Sequence, residues 1–190
     1  MAAAASPFWA AAQDRQPTAA HRIVCLLESA LSTLYMLGAD EALVAVPADA
    51  TRGEPGQRYA ALDPRIARGE LATPGNWDFI SLERVLALRP DLVVIWAAQR
   101  EAIEALERHR LRVHRVDVRS LEDVHREVLE LGRATGREAR ARELVAWARR
   151  ETDALRAAAA ARLGAPPRAY FMWPQSPLDT AGRASAAHEL

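Results

Sequence analysis

Lysine is absent: all 25 basic residues of this 190-residue chain are arginine. That removes every mechanism built on a lysine, such as a Schiff base or the phosphate-gripping lysine of a P-loop. Cysteine is nearly absent. Cys25 stands alone, so no internal disulfide can form and a cysteine-based zinc site has too few ligands. Neither charge is in excess, because 25 acidic residues balance the arginines. The field that draws a protein onto nucleic acid is therefore missing, and no nucleic-acid partner is expected. No apolar run approaches the roughly 20 residues that a membrane-spanning helix needs.

Phosphate-loop glycine patterns are missing too. Gly53 and Gly56, and Gly132 and Gly136, have the wrong spacing and context for a dinucleotide or phosphate site. Ser29 lacks the flanking glycines of a nucleophile elbow. Of five histidines, His109 falls at a helix end, His114 within a strand and His125 in mid-helix. No pair has the spacing that sets two ligands on one helix face, so they read as surface or core-edge residues and no metal is assigned. The chain offers no catalytic group and no cofactor motif, and it does not read as an enzyme.

What is present is a core and a rhythm. Half of the residues are hydrophobic, enough for an ordinary packed domain. From His21 onward, strand and helix patterns alternate. HRIVCLL reads as a strand, SALSTLYMLGA as a helix closed by Gly38, and ALVAVP as a second strand. Residues 47–75 hold four prolines and four glycines and read as a long loop, of a length usually kept for function. Then follow a helix over 81–89 capped by Ser81 and ended by Pro90, strand DLVVIW, a helix over 99–109, strand RVHRVDV and a helix over 120–131. Continuous apolar strands alternating with helices predict an α/β fold, a Rossmann-like lobe whose parallel sheet carries helices on both faces.

Thr135 and Glu138 have capping-box spacing, and helix formers run on to Gly164 and Pro166. The pattern predicts one long connecting helix over 135–164, with Leu144, Ala148, Leu155, Ala159 and Leu163 on one apolar stripe. RAYFMW then reads as a new strand, followed by a turn and one turn of helix. The expected organisation is a tail or signal-peptide remnant over 1–20, a lobe over 21–134, the connecting helix, and the opening of a second lobe over 165–190. No positive charge precedes the Ala-rich start, so the sequence leaves tail and remnant as equal alternatives.

In an α/β sheet, ligands bind at the carboxyl ends of the strands. Those ends carry Glu28 and Ser29 after the first strand and Trp96 after DLVVIW, while Trp77 can reach the same rim. Two indoles suit a large, flat, partly apolar ligand, although both rings also read as ordinary packing.

These segments resemble the periplasmic binding proteins that serve ABC importers of iron siderophores, haem and cobalamin. RIVCLLESALSTLYMLGA is similar to their opening strand and helix. SLERVLALRPDLVVIW resembles their leucine-rich turn with a Lys/Arg-Pro-Asp-Leu strand, and YFMWPQSPLDTAGRASAAHEL resembles the start of their second lobe. The resemblance implies a substrate-binding component that clamps a metal chelate without chemistry, works as a monomer in the periplasm or at the cell surface, and docks on a membrane permease. Glu83 matches the family's docking glutamate. Trp77 and Trp96 match positions where cobalamin-binding members place tryptophans, Tyr59 corresponds to a ligand-lining tyrosine in the long loop, and Trp173 joins the set from the second lobe. Glu28 departs from the family's usual Pro-Ser-Ala-Thr-Glu and adds a carboxylate at the rim. With the second lobe barely begun, the chain alone is expected to bind a chelate weakly or not at all. A domain for protein interaction or regulation, without a transport role, stays open as the alternative reading.

Overall fold

The computed structural model describes residues 19–163. Residues 1–18 of the expected tail and the expected second-lobe opening over 165–190, with the RAYFMW strand and Trp173, lie outside the described residues; Ala20 is not tail but core, its N–H donating to the Ala134 carbonyl. Four strands, β1 (Ile23–Cys25), β2 (Leu43–Ala45), β3 (Leu92–Trp96) and β4 (Val113–Val116), form one sheet in the order β2-β1-β3-β4. Every pairing in it is parallel. This is the expected α/β architecture. Period-two alternation explains the two cores: Ile23, Cys25, Leu92 and Val94 face one side, while Val24, Val93 and Ile95 face the other. The first side is covered by α1 (Glu28–Leu37) and α6 (Leu121–Ala134), the second by α4 (Leu82–Ala87) and α5 (Arg100–Arg108).

The Arg-Pro-Asp sequence before β3 has a mechanical use. Pro90 follows the end of α4, and the Asp91 carboxylate accepts the backbone N–H groups of His21 (2.8 Å) and Arg22 (3.0 Å). Arg22 reaches back to the carbonyls of Leu88 and Arg89. The starts of β1 and β3 are thereby locked in register.

Residues 47–75 are not a loop. They fold into a 3-10 turn at Ala48–Thr51 and two helices, α2 (Gly53–Leu62) and α3 (Pro64–Ala67). Two of the four prolines that suggested a break, Pro55 and Pro64, sit in first turns, where their missing N–H would have no helical partner. Asp63 caps α3 by accepting the Arg65 N–H. It also accepts from the Arg65 guanidinium (2.7 Å) and from the Tyr35 hydroxyl (2.9 Å), which joins α3 to α1.

The long helix α7 (Glu138–Leu163) has 26 residues, about 39 Å at 1.5 Å per residue. Thr135 does not cap it. Its hydroxyl donates back to the Leu131 carbonyl (2.7 Å) at the end of α6. The apolar stripe is buried only near its start: Ala141 and Val145 join the core, Leu144 packs against it, and Leu155 is 70% exposed. Gly132 explains the close crossing of α6 and α7. A Cβ built there would sit 2.4 Å from the Ala141 Cβ, so this glycine serves helix packing and not a phosphate.

Two predictions follow from this packing. Gly132→Ala overfills the α6–α7 contact and lowers stability by about 1–3 kcal/mol, read as a fall in the urea midpoint at unchanged slope. The second concerns acid. Hydrogen bonds from Arg65 hold the Asp63 carboxyl below its ordinary value of 3.8. Its stabilising effect is complete above the unfolded-state value and is lost as pH falls through the lower folded-state value. Urea midpoints between pH 7 and pH 3 (about 4 units) decline for the parent chain and decline less for Asp63→Asn, which starts lower at pH 7.

Candidate functional site

Strand order creates the site. The chain leaves β1 towards β2 on one side, then crosses to β3 on the other, so the crevice at the carboxyl ends of β1 and β3 is the topological switch point. An open hollow of about 660 Å³ lies at this end of the sheet. Leu27, Glu28 and Ser29 reach it from the end of β1, Trp96 from β3, and Val116 and Val118 from β4. Trp77 and Asp49 complete the lining.

The sequence therefore places four of its candidates together: Glu28, Ser29, Trp77 and Trp96. The two indoles meet edge to face, with centroids 6.4 Å apart and planes at 70°. Trp77 is 52% exposed and Trp96 41%, so neither is a core residue. Edge-to-face pairing leaves ring surface open to solvent, where a further apolar or planar group can stack.

A short turn holds Trp77 there. Gly75 bridges to Ile80, and the Asn76 N–H donates to the Phe79 carbonyl at 2.7 Å. A Cβ on Gly75 would fall 2.1 Å from the Phe79 oxygen, so only glycine allows the turn to close. Asn76 is its rivet. Its Oδ1 accepts from the N–H groups of Asp78 and Phe79, its Nδ2 donates to both Asp49 carboxylate oxygens (2.9 and 3.1 Å), and its carbonyl accepts from Gln99 Nε2. Sequence reading missed Asp49, Asn76 and Gln99. Asn-Trp-Asp after a glycine is a local turn signal, but nothing local identifies Asp49 as the partner 27 residues away.

Tyr59 departs from expectation. It lies on α2 and is only 8% exposed. Its ring stacks on Tyr35 at 5.9 Å, and its hydroxyl bonds Ser32 Oγ at 2.6 Å and donates to the Glu28 carbonyl. Burial pushes its phenol above the ordinary value. Tyr59 lines a separate depression with Ser32, Arg58 and Leu62, and only Glu28 borders both. It braces the first turn of α1 from behind and does not line the tryptophan hollow. Glu83 lies in the first turn of α4, exposed, and its carboxylate has no hydrogen bond or ion pair among the described residues.

The hollow contains carboxylates, a hydroxyl and two indoles, but no base hydrogen-bonded to a nucleophile. An apolar, aromatic lining with a few polar groups among the described residues has the composition typical of a ligand pocket.

Comparison with known proteins agrees with this geometry. A family model described as periplasmic binding protein matches residues 23–187. The vitamin B12-binding protein of Pectobacterium carotovorum is 23% identical over 171 residues, covering 89% of this chain and 58% of that protein. The periplasmic haem-binding protein RhuT of Roseiflexus has a similar structure, with a TM-score of 0.69 and 25% identity over 87% of this chain and 60% of its own. The molybdate-bound periplasmic protein MolA of Haemophilus influenzae shares the fold at a TM-score of 0.69 and 22% identity, over 83% of this chain and 54% of its own. The chain thus spans somewhat more than half the length of these relatives. The family match over residues 23–187, most of the chain, shows that it belongs to the periplasmic binding protein family.

Proposed function

We propose that this chain is the ligand-gripping lobe of a solute-binding component of an ABC importer, working in the periplasm, and that its ligand is a large planar metal chelate of corrinoid or haem type. The observation that carries this reading is the exposed Trp77–Trp96 pair at the switch point of the sheet. Two indoles and the apolar side chains of Leu27, Val116 and Val118 favour a ligand with a broad apolar face. Glu28, Ser29 and Asp49 can meet polar substituents at its edge. Ferric siderophores, which are less flat, use such stacking surface less well.

Binding here needs no chemical step. Recognition of a vitamin B12-binding relative supports the corrinoid end of the range, and the haem-binding neighbour supports planarity. Glu83 is the proposed anchor for the permease. Chain order puts the first turn of α4 on the rim side, because α4 starts beyond the Trp77 turn and runs back to the start of β3. A free carboxylate there is available to a guanidinium of the membrane partner.

Titrating the chain with cobalamin, haemin and a ferric siderophore, and following tryptophan fluorescence, tests the ligand. Quenching by a planar chelate is expected, in the micromolar range or weaker, since the chain spans somewhat more than half the length of the relatives it matches. Trp96→Ala weakens binding about tenfold (about 1.4 kcal/mol), and the Trp77→Ala/Trp96→Ala pair abolishes it. Quenching that survives the double substitution, or that no chelate produces, would remove the hollow from consideration. Docking is tested separately. In cells carrying the cognate permease, Glu83→Arg lowers uptake at least about tenfold and leaves the fluorescence titration unchanged.

A further inference from the structure

Away from the hollow, beneath α6, the fold assembles a group of ligands that the sequence keeps apart. Sheet register sets Cys25, Val94 and His114 in one row across β1, β3 and β4. His114 is thereby placed under α6, where the next turns carry Glu127 and Glu130 on one face. His114 Nε2 lies 3.0 Å from Glu127 Oε1, and the ligand atoms of His114, Glu127 and Glu130 all lie within 4.8 Å of one another. These are not surface acids. Glu127 is buried, and the side chains of His114 and Glu127 are only 13% and 10% exposed.

Charge decides what the cluster suits. Two carboxylates gathered in a largely dry place are costly without a cation beside them. A neutral imidazole and two carboxylates around a divalent cation sum to zero. Distances agree: ligands about 2.0–2.2 Å from a tetrahedral ion lie about 3.3–3.6 Å apart, between the 3.0 Å His114–Glu127 spacing and the 4.8 Å that bounds the whole cluster. The donor set, one nitrogen and two carboxylates, matches zinc or its borderline neighbours better than calcium or copper(I). Cys25 contributes no thiolate, since burial pushes its thiol to about 12 and its Sγ–H donates to the Leu27 carbonyl.

We propose that His114, Glu127 and Glu130 form a zinc-type divalent-metal site that staples the edge strand β4 to α6. Its role is structural. It is separate from the chelate hollow, and it would stiffen the segment that carries Val116 and Val118 to the hollow's rim. The histidine rule applied to the sequence missed it because one ligand lies on a strand and two on the following helix, where no helix-face spacing exists to be recognised.

The test uses the full 190-residue chain after chelator treatment. Calorimetry with ZnCl2 is expected to show one equivalent bound at micromolar affinity or tighter, and Co2+ to give visible d–d absorption of a low-coordinate N/O site. The thermal midpoint rises with zinc and falls with chelator. Glu130→Gln, which changes the most accessible ligand and leaves the metal-free fold intact, weakens zinc binding at least about tenfold and removes the thermal shift. Glu127→Gln does the same where it folds. His125→Gln, on the side of α6 that meets Arg149 of α7 and away from the cluster, changes neither. Absence of saturable binding at about 100 µM zinc, or binding unaltered by Glu130→Gln, would overturn the proposal and leave His114–Glu127 as an ordinary ion pair.

Discussion

Parallel pairing of β1 with β3 is the constraint on which the rest depends. These are the central strands, buried on both faces, and their starts are locked by Asp91, which accepts two backbone N–H groups from the entry to β1. With that register set, Cys25 stands opposite Val94, and the two strands leave the sheet side by side after Cys25 and Trp96. The switch point is a consequence of this pair. So is the hollow, since its floor consists of residues that follow β1 and end β3 and β4.

Around this fixed floor, the mobile decision is where to put Trp77. The chain settles it with a glycine-closed turn riveted by Asn76 to Asp49 and Gln99. The turn holds one indole edge-on to the other and leaves both half exposed. A rigid aromatic pair loses little conformational freedom when a ligand arrives, which favours the binding proposed for this hollow. Tyr59 supports the same floor from the opposite side, by bonding the Glu28 carbonyl and Ser32.

Much of this was legible in sequence. The continuous apolar runs in HRIVCLL and DLVVIW, the caps at Ser81 and Ser120, and the stops at Gly38 and Pro90 correspond to the strands and helices observed. Segment 47–75 was misjudged because glycine and proline count as breakers, while at the first turn of a helix they are neutral or favourable. Thr135 was misjudged for a related reason. Its spacing to Glu138 fits a cap, but its hydroxyl has a closer acceptor in the last turn of α6. Of the candidate residues, Glu28, Ser29, Trp77 and Trp96 meet because strand ends of a parallel sheet share one rim, a rule that operates on sequence.

Sequence by itself determined the fold class, the rim and the exclusion of lysine, disulfide and phosphate-loop chemistry, because these depend on residue identity and local periodicity. Tertiary structure alone decided that Tyr59 braces and does not line, that Gly132 serves a helix crossing, that Asn76 finds Asp49, and that His114 meets Glu127 and Glu130. Each of these depends on which elements pack together. Distances of that kind are set by register and crossing geometry, and no spacing along the chain encodes them.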